Sequence, residues 1–340
     1  MVRTSMKNIP SVLQKNLLPP DMDYHYFEGS KAKPFDTHSN CFSLSNALWL
    51  SECSLLAYAH PGFARLAYKL EGLHEFKFFQ GVGTECMIAW NDDLMIVSFR
   101  GTELTSLSTL YELATDLNAI PCQFEKGGRV HQGFNSALAE IWLGEDGLEV
   151  FFATHIAQNP KRRIWITGHS LGGALATLCF AHIEHAQGLY IYGSPRVGDA
   201  QFNSLLDKRV AWRVEHKRDP IPFVPPNLPA INLGYEDTGE LVFLGDAQLL
   251  MHQRPEKSAQ HYKELALSTL AEQEKQRKEL PIQFQAINDH LGNALAQWRD
   301  TLKQVHGDTS YSMSDHMPIF YCSKLWNLLF GDATNQDDTK

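Results

Sequence analysis

The sequence predicts an α/β protein with a largely parallel central sheet covered by helices on both faces. Three observations carry that expectation. First, the β-branched and aromatic run Ile164-Trp165-Ile166-Thr167 stops at Gly168-His169-Ser170-Leu171-Gly172. It restarts as an alanine- and leucine-rich stretch over 172–186, which reads as strand, sharp turn and helix. Second, further strand-like runs, Leu189 to Tyr192 and Val210 to Glu215, alternate with helical or loop segments, as crossover connections between parallel strands require. Third, Thr102, Ser170 and Asp219 each follow a predicted strand, and such sheets gather chemistry beyond the carboxyl ends of their strands.

In chain order, residues 1–40 are rich in Pro, Asp, Lys and Ser and show no sustained period, which predicts an extended arm lying on the body, partly disordered. Leu44, Ala47, Leu48, Leu55 and Leu56 predict a helix ending near Pro61, and a second is expected from Phe63 to Leu70. Runs from Glu75 to Phe79, Thr84 to Trp90 and Leu94 to Phe99 read as strands, the last two as a hairpin turning at Asn91-Asp92-Asp93. Leu104, Leu107, Leu110, Tyr111 and Ala114 recur three to four apart, the spacing of a short amphipathic helix. A loop is expected over 118–132, then a long helix from Phe134 to Ala157, broken or kinked at Gly144 and Gly147. Ile231 to Leu244 reads as a peripheral hairpin turning at Asp237-Thr238-Gly239. Residues 256–305 are expected to form a helical insertion packed on the body, and 331–340 a flexible tail. One domain spanning 1–340 is the expected organisation.

Composition narrows the function. With 44% apolar and 20% charged residues the chain has the make-up of a globular protein with a sizeable core. A formal charge of -9 excludes nucleic acid as a partner, because neutralising phosphates needs a basic face. No stretch of apolar residues is long enough for a membrane span. The longest apolar run near the N-terminus is Leu17-Leu18, too short for a signal-peptide core, so a cytoplasmic location is expected, with leaderless secretion left open. The six cysteines lack C-x-x-C spacing and are expected to be reduced. His182-Ile183-Glu184-His185 lacks the order of a zinc-protease helix, so neither a metal nor any other cofactor is expected.

A serine hydroxyl attacks well only when an imidazole takes its proton, and the imidazole needs a carboxylate to fix its tautomer and stabilise its charge. Gly168 and Gly172 flank Ser170 at the spacing of a nucleophile elbow, where a side chain on either flank would strike the neighbouring strand or helix. Asp219 lies downstream at a strand end, before Pro220; Asp199 is a weaker alternative. For the base, His252, His261, His290, His306 and His316 all lie beyond Asp219, and position alone does not choose among them.

A resemblance chooses. Phe99-Arg100-Gly101-Thr102, Asp116-Leu117, Val130-His131-Gln132-Gly133-Phe134, Thr167 to Ala176, Gly193 to Asp199 and Asp219 to Pro226 resemble, in order, the signature blocks of the class 3 (fungal-type) lipases, a family of α/β-hydrolases. The resemblance covers roughly residues 80 to 226. It implies Ser170 as nucleophile, Asp219 as acid and His316 as base, with Thr102 and the Leu171 amide as oxyanion hole. It also implies that residues 103–115 are a lid helix whose Leu104, Leu107, Leu110 and Tyr111 govern substrate access at a lipid–water interface. The implied activity is hydrolysis of acylglycerol esters; phospholipase A1 or short-chain esterase activity is the near alternative, and an inactive lipid- or protein-binding hydrolase fold the distant one. Two departures stand out: the stretch before Asp116-Leu117 lacks the tryptophan often found in the family's lid, and the 256–305 insertion lengthens the path from Asp219 to His316.

Overall fold

In a computed structural model of the chain, the described residues are 24–102, 120–225, 227–228, 233–245, 249–254 and 313–331. The expected lid helix with Leu104, Leu107, Leu110 and Tyr111, the 256–305 insertion, the first 23 residues and the tail beyond Gly331 lie outside them.

Helices α1 (Leu44–Leu56) and α2 (Pro61–Leu70) lead into strands β1 (Glu75–Gln80), β2 (Glu85–Trp90) and β3 (Leu94–Phe99). Ser43 starts α1 by accepting the Asn46 amide, and Pro61 starts α2, where its missing N–H costs nothing. Next come β4 (Pro121–Gln123), β5 (Arg129–His131), α3 (Gln132–Trp142) and α4 (Leu148–Gln158). Then β6 (Arg163–His169), α5 (Leu171–His182), β7 (Gly188–Tyr192), α6 (Ala200–Asn203) and β8 (Val210–His216) follow. The last elements are β9 (Asn227–Leu228), β10 (Leu233–Gly234), β11 (Glu240–Leu244), β12 (Leu249–Met251) and α7 (Pro318–Phe330).

Eight strands form one sheet in the order β1-β2-β3-β6-β7-β8-β11-β12. The five from β3 to β11 run parallel, while β1, β2 and β12 extend the edges as antiparallel pairs. Burial follows that division. Every residue of β3 and β7 is buried, as interior parallel strands covered on both faces must be. One core lies between the sheet and α3, α4 and α5, around Phe99, Phe134, Ile166 and Phe180. The other lies on the opposite face under α1 and α7, around Leu50, Trp165, Tyr192 and Leu325. Both faces are therefore covered, as expected for an α/β-hydrolase fold.

The long helix is broken where the glycines predicted a break or kink, since Leu143 turns extended and Gly144 takes φ 100°, which ends α3 before α4 begins. Three other expectations need correction. The 118–132 loop contains a small hairpin, β4 with β5. The expected peripheral hairpin is instead divided: Leu233 and Gly234 pair with β9, whereas Glu240–Leu244 lies parallel to β8 inside the main sheet. Its unbroken run Leu-Val-Phe-Leu is the signature of an interior strand, which outweighs the turn signal before it. Finally, residues 24–40 lie on the body as expected, but in turns and not extended. Phe27 is buried, and Trp326 of α7 donates to the Glu28 carbonyl at 3.2 Å.

A buried ion network anchors the acid's side of the sheet. Arg213 and Glu215 of β8 pair with each other, Arg254 reaches Glu215 at 2.6 and 2.7 Å and Asp237 at 3.0 Å, and Arg196 reaches Asp237 at 2.7 Å. Burial costs each ion several kcal/mol, so the mutual pairing is what makes these charges tolerable. Burial pulls Arg213 down to about 10, while three guanidiniums overcome the burial that would raise Asp237 and hold it below the usual carboxylate range. Arg196 also donates to the carbonyls of Phe223 at 3.0 Å and Pro225 at 3.2 Å, fixing the chain just past Asp219.

His131 closes β5 and caps α3, its Nδ1 accepting the Phe134 amide at 3.3 Å, and burial lowers its pKa to about 4. Below pH 6.5 the unfolded chain takes up a proton that the native His131 refuses, so stability falls as pH drops toward 4. Between pH 7 and pH 5 this histidine alone is expected to cost about 2 kcal/mol. Urea unfolding at the two pH values should show His131→Asn, which keeps a capping oxygen, losing less stability than the wild type by about that amount; an equal loss would remove His131 from the account.

Candidate active site

Strand β6 delivers Ser170 directly into the first turn of α5, with φ 58° and ψ -130°, a left-handed conformation that a serine holds only against strain. The Ser170 amide donates to the Tyr192 carbonyl at 3.0 Å, which secures the turn to the end of β7. A side chain at Gly168 would run into the Gly172 backbone, and one at Gly172 into the carbonyl of Phe99 at the end of β3. Glycine is therefore required at both places, and the same crowding brings the exit of β3 against the elbow. Gly101 backs onto the His169 carbonyl, with Thr102 the next residue. Leu171 opens α5, so its amide belongs to the first turn, whose donors have no intrahelical acceptor and sit at the positive end of the helix dipole.

Beyond β8, Asp219 is 2% exposed, and its carboxylate is held from three directions. Oδ1 accepts the Ile221 amide at 2.9 Å, and Oδ2 accepts from His316 Nδ1 at 2.8 Å and from the Tyr321 hydroxyl at 2.6 Å. Gly193 packs behind this cluster, where a side chain would strike Asp219 Oδ2, His316 Nδ1 and the Tyr321 hydroxyl.

His316 ends a short 3-10 turn, Met313–His316, immediately before α7, and is wholly buried. Since a carboxylate only accepts, Nδ1 carries the proton toward Asp219 and Nε2 presents its lone pair. Nε2 has no hydrogen-bond partner, and neither does the buried Ser170 hydroxyl. The two atoms do not bond each other in this state, as is common for catalytic pairs that tighten only around substrate. The turn itself is pinned to the exit of β8, His216 Nδ1 donating to the Asp315 carbonyl at 3.0 Å.

Of the residues expected from sequence, Ser170, Leu171, Asp219 and His316 converge at this rim, and Thr102 follows the β3 exit that abuts it. Asp199 does not join them: its carboxylate caps α6, accepting the Phe202 amide at 2.9 Å and the Arg129 amide at 3.1 Å. His252 lies apart at the sheet edge, 3.4 Å from Glu240, and His261, His290 and His306 fall outside the described residues. Tyr321, His169 and Tyr58 carried no sequence signal, because the direction of a buried ring is set by packing and not by spacing. Among the described residues no group of three or more His, Cys, Asp or Glu is placed to hold a metal, and no helix is long and apolar enough to cross a membrane.

The chain is similar to known lipases over part of its length. The lipase (class 3) family matches residues 96–228. Secreted mono- and diacylglycerol lipase 1 of Fusarium solani is 34% identical over 133 residues, 38% of each chain. Secreted mono- and diacylglycerol lipase LIP1 of Malassezia globosa is 24% identical over 65% of this chain and 69% of its own. The crystal structure of Rhizomucor miehei triacylglyceride lipase superposes with a TM-score of 0.47 at 25% identity, over 59% of this chain and 80% of that one. The chain spans less than half the length of several of the curated relatives it matches. Their description as secreted overturns the expected cytoplasmic location. That expectation rested on a missing apolar run, which carries no information on how a protein leaves the cell. Over residues 96–228 the chain is thus similar to the class 3 lipases, the stretch that carries the ordered sequence blocks and the strained elbow on a parallel sheet.

Proposed function

We propose that the protein hydrolyses the ester bonds of acylglycerols through an acyl-enzyme, with Ser170 as nucleophile, His316 as general base and acid, and Asp219 as the orienting carboxylate. The observation that carries this reading is the His316–Asp219 hydrogen bond, which leaves Nε2 proton-accepting, and that buried atom and the Ser170 hydroxyl on its strained elbow are both without a hydrogen-bond partner among the described residues. In the reaction Ser170 Oγ attacks the ester carbonyl carbon while its proton passes to His316 Nε2. The imidazolium is stabilised by Asp219, and the oxyanion is received by the amides of Thr102 and Leu171, aided by the α5 dipole. Collapse expels the glycerol-side alcohol with the proton from Nε2, leaving the acyl group on Ser170. A water, deprotonated by His316, then releases the fatty acid and restores the serine.

The mono- and diacylglycerol names of the Fusarium and Malassezia relatives support acylglycerols as the substrate class and action outside the cell. The helical spacing of Leu104, Leu107, Leu110 and Tyr111 in the sequence supports reading 103–115 as the segment that governs substrate access.

Ser170→Ala is expected to abolish covalent labelling by a fluorophosphonate and to lower kcat by at least about 10,000-fold on a soluble ester; retained labelling would remove Ser170 from the mechanism. Tyr321→Phe takes one charge-assisted bond from Asp219 and should lower kcat about 10-fold. An unchanged kcat in a fully folded Tyr321→Phe variant would remove this bond from the account of Asp219. Hydrolysis rates on monoacylglycerol, triacylglycerol and phospholipid dispersions measure substrate class. A phospholipid rate exceeding both others would replace the acylglycerol reading.

A further inference from the structure

His169, the residue before the nucleophile, takes no part in the chemistry above, yet it is wholly buried with both ring nitrogens occupied. Its Nε2 lies 2.6 Å from the backbone carbonyl of His316, a group that can only accept. Nε2 must therefore carry the proton, and Nδ1 the lone pair. That lone pair lies 3.0 Å from the Tyr58 hydroxyl, which is thereby obliged to donate. The Tyr58 oxygen in turn rests against Gly101, whose amide faces it and which has no space for a side chain there. One directional chain thus runs from the end of β3, beside Thr102, through Tyr58 and His169, to the main chain of His316.

We infer that Tyr58 and His169 are positioning residues that hold the oxyanion loop and the base in register with Ser170; this rests on the ester-hydrolase reading. The Asp219 bond alone leaves the His316 ring free to pivot about a single contact. Gripping the carbonyl of the same residue fixes the backbone from which the ring hangs. Because His169 adjoins Ser170, a displacement of the elbow carries the base with it, and the proton-transfer distance is kept. The neighbours are suited to this: the His316 ring lies at 4.5 Å and the Tyr321 ring at 5.9 Å, with Tyr58 on the far side. Burial, then the charge on His316, keeps His169 well below the ordinary histidine range, so it stays neutral while His316 passes through its cation. If His169 were merely filler, any flat ring would serve.

The test uses the full chain carrying His169→Phe, His169→Gln or Tyr58→Phe, with kcat, KM and thermal unfolding measured for each. Glutamine places an amide N–H near the position of Nε2 and can restore the donor. His169→Phe is expected to lower kcat about 100-fold, as misplacement by about 1 Å does, with KM changed less than about threefold. His169→Gln should recover at least about 10-fold of that loss, and Tyr58→Phe should lose about 10-fold. Combining Tyr58→Phe with His169→Phe should be no worse than His169→Phe alone, since both break one chain. Equal kcat for the phenylalanine and glutamine variants, additive losses in the double variant, or losses that only track the folded fraction would overturn the relay. Should His169→Phe not fold, a Tyr58→Phe variant with wild-type kcat overturns it equally. Failure of the parent reading looks different: the wild type itself would then neither hydrolyse esters nor be labelled at Ser170.

Discussion

The hydrogen bond from His316 to Asp219 is the constraint on which the rest of the site depends. It joins the turn before the last helix to the end of an interior strand, across the 97 residues that separate them in the chain. Nearly every other feature of the rim stabilises one of its two ends. Tyr321 and the Ile221 amide complete the solvation of the carboxylate, and a glycine at 193 leaves the space in which the three groups meet. His216, from the same strand end, grips the carbonyl preceding His316, and His169 grips the carbonyl of His316 itself. A carboxylate removed from water in this way is expensive unless its hydrogen-bonding capacity is met, and here Asp219 accepts from His316, Tyr321 and the Ile221 amide. The unsatisfied atoms, Ser170 Oγ and His316 Nε2, are those that a reacting ester and its proton would engage.

The two halves of the sheet reach the rim by different means. On the nucleophile's side the device is steric, since backbone meets backbone at Gly168, Gly172 and the end of β3, and the strain at Ser170 is held by the hydrogen bond to Tyr192. On the acid's side it is electrostatic. Arg196, within the strand-end run Gly193 to Gly198, ties Asp237 to the carbonyls just beyond Asp219. Arg254 stacks over Phe223 at 4.6 Å while bridging Glu215 and Asp237. The acid thus sits on a platform of paired charges and the serine on a platform of close-packed glycines.

Much of this was legible in the sequence because local signals and tertiary role agree there. Interior strands such as β6, β7 and β8 are short apolar runs bounded by turns, and the elbow needs its two glycines within five residues. Ser170 was singled out by its flanking glycines, and Asp219, ahead of Asp199, by its place at a strand end before Pro220. His316 was not, since five downstream histidines satisfied the same positional rule and only the family resemblance separated them. Where local and tertiary signals disagree, the sequence misled: Asp237-Thr238-Gly239 looks like a hairpin turn, but the strand after it pairs with β8 and not with the chain before it. Tyr58, Tyr321 and His169 were invisible for another reason. Each is an ordinary buried aromatic by position, and only the direction of its polar atom gives it a role.

The clasp between the beginning and the end of the described chain has a consequence for biosynthesis. Glu28 meets Trp326, and the turn holding His316 is laid against strands that all precede it in the chain. A polypeptide emerging from the ribosome can assemble the whole eight-stranded sheet, serine included, while its imidazole is still in the exit tunnel. The turn holding His316 is thus made after every described strand, so that Asp219 waits in a folded sheet for the imidazole that bonds it.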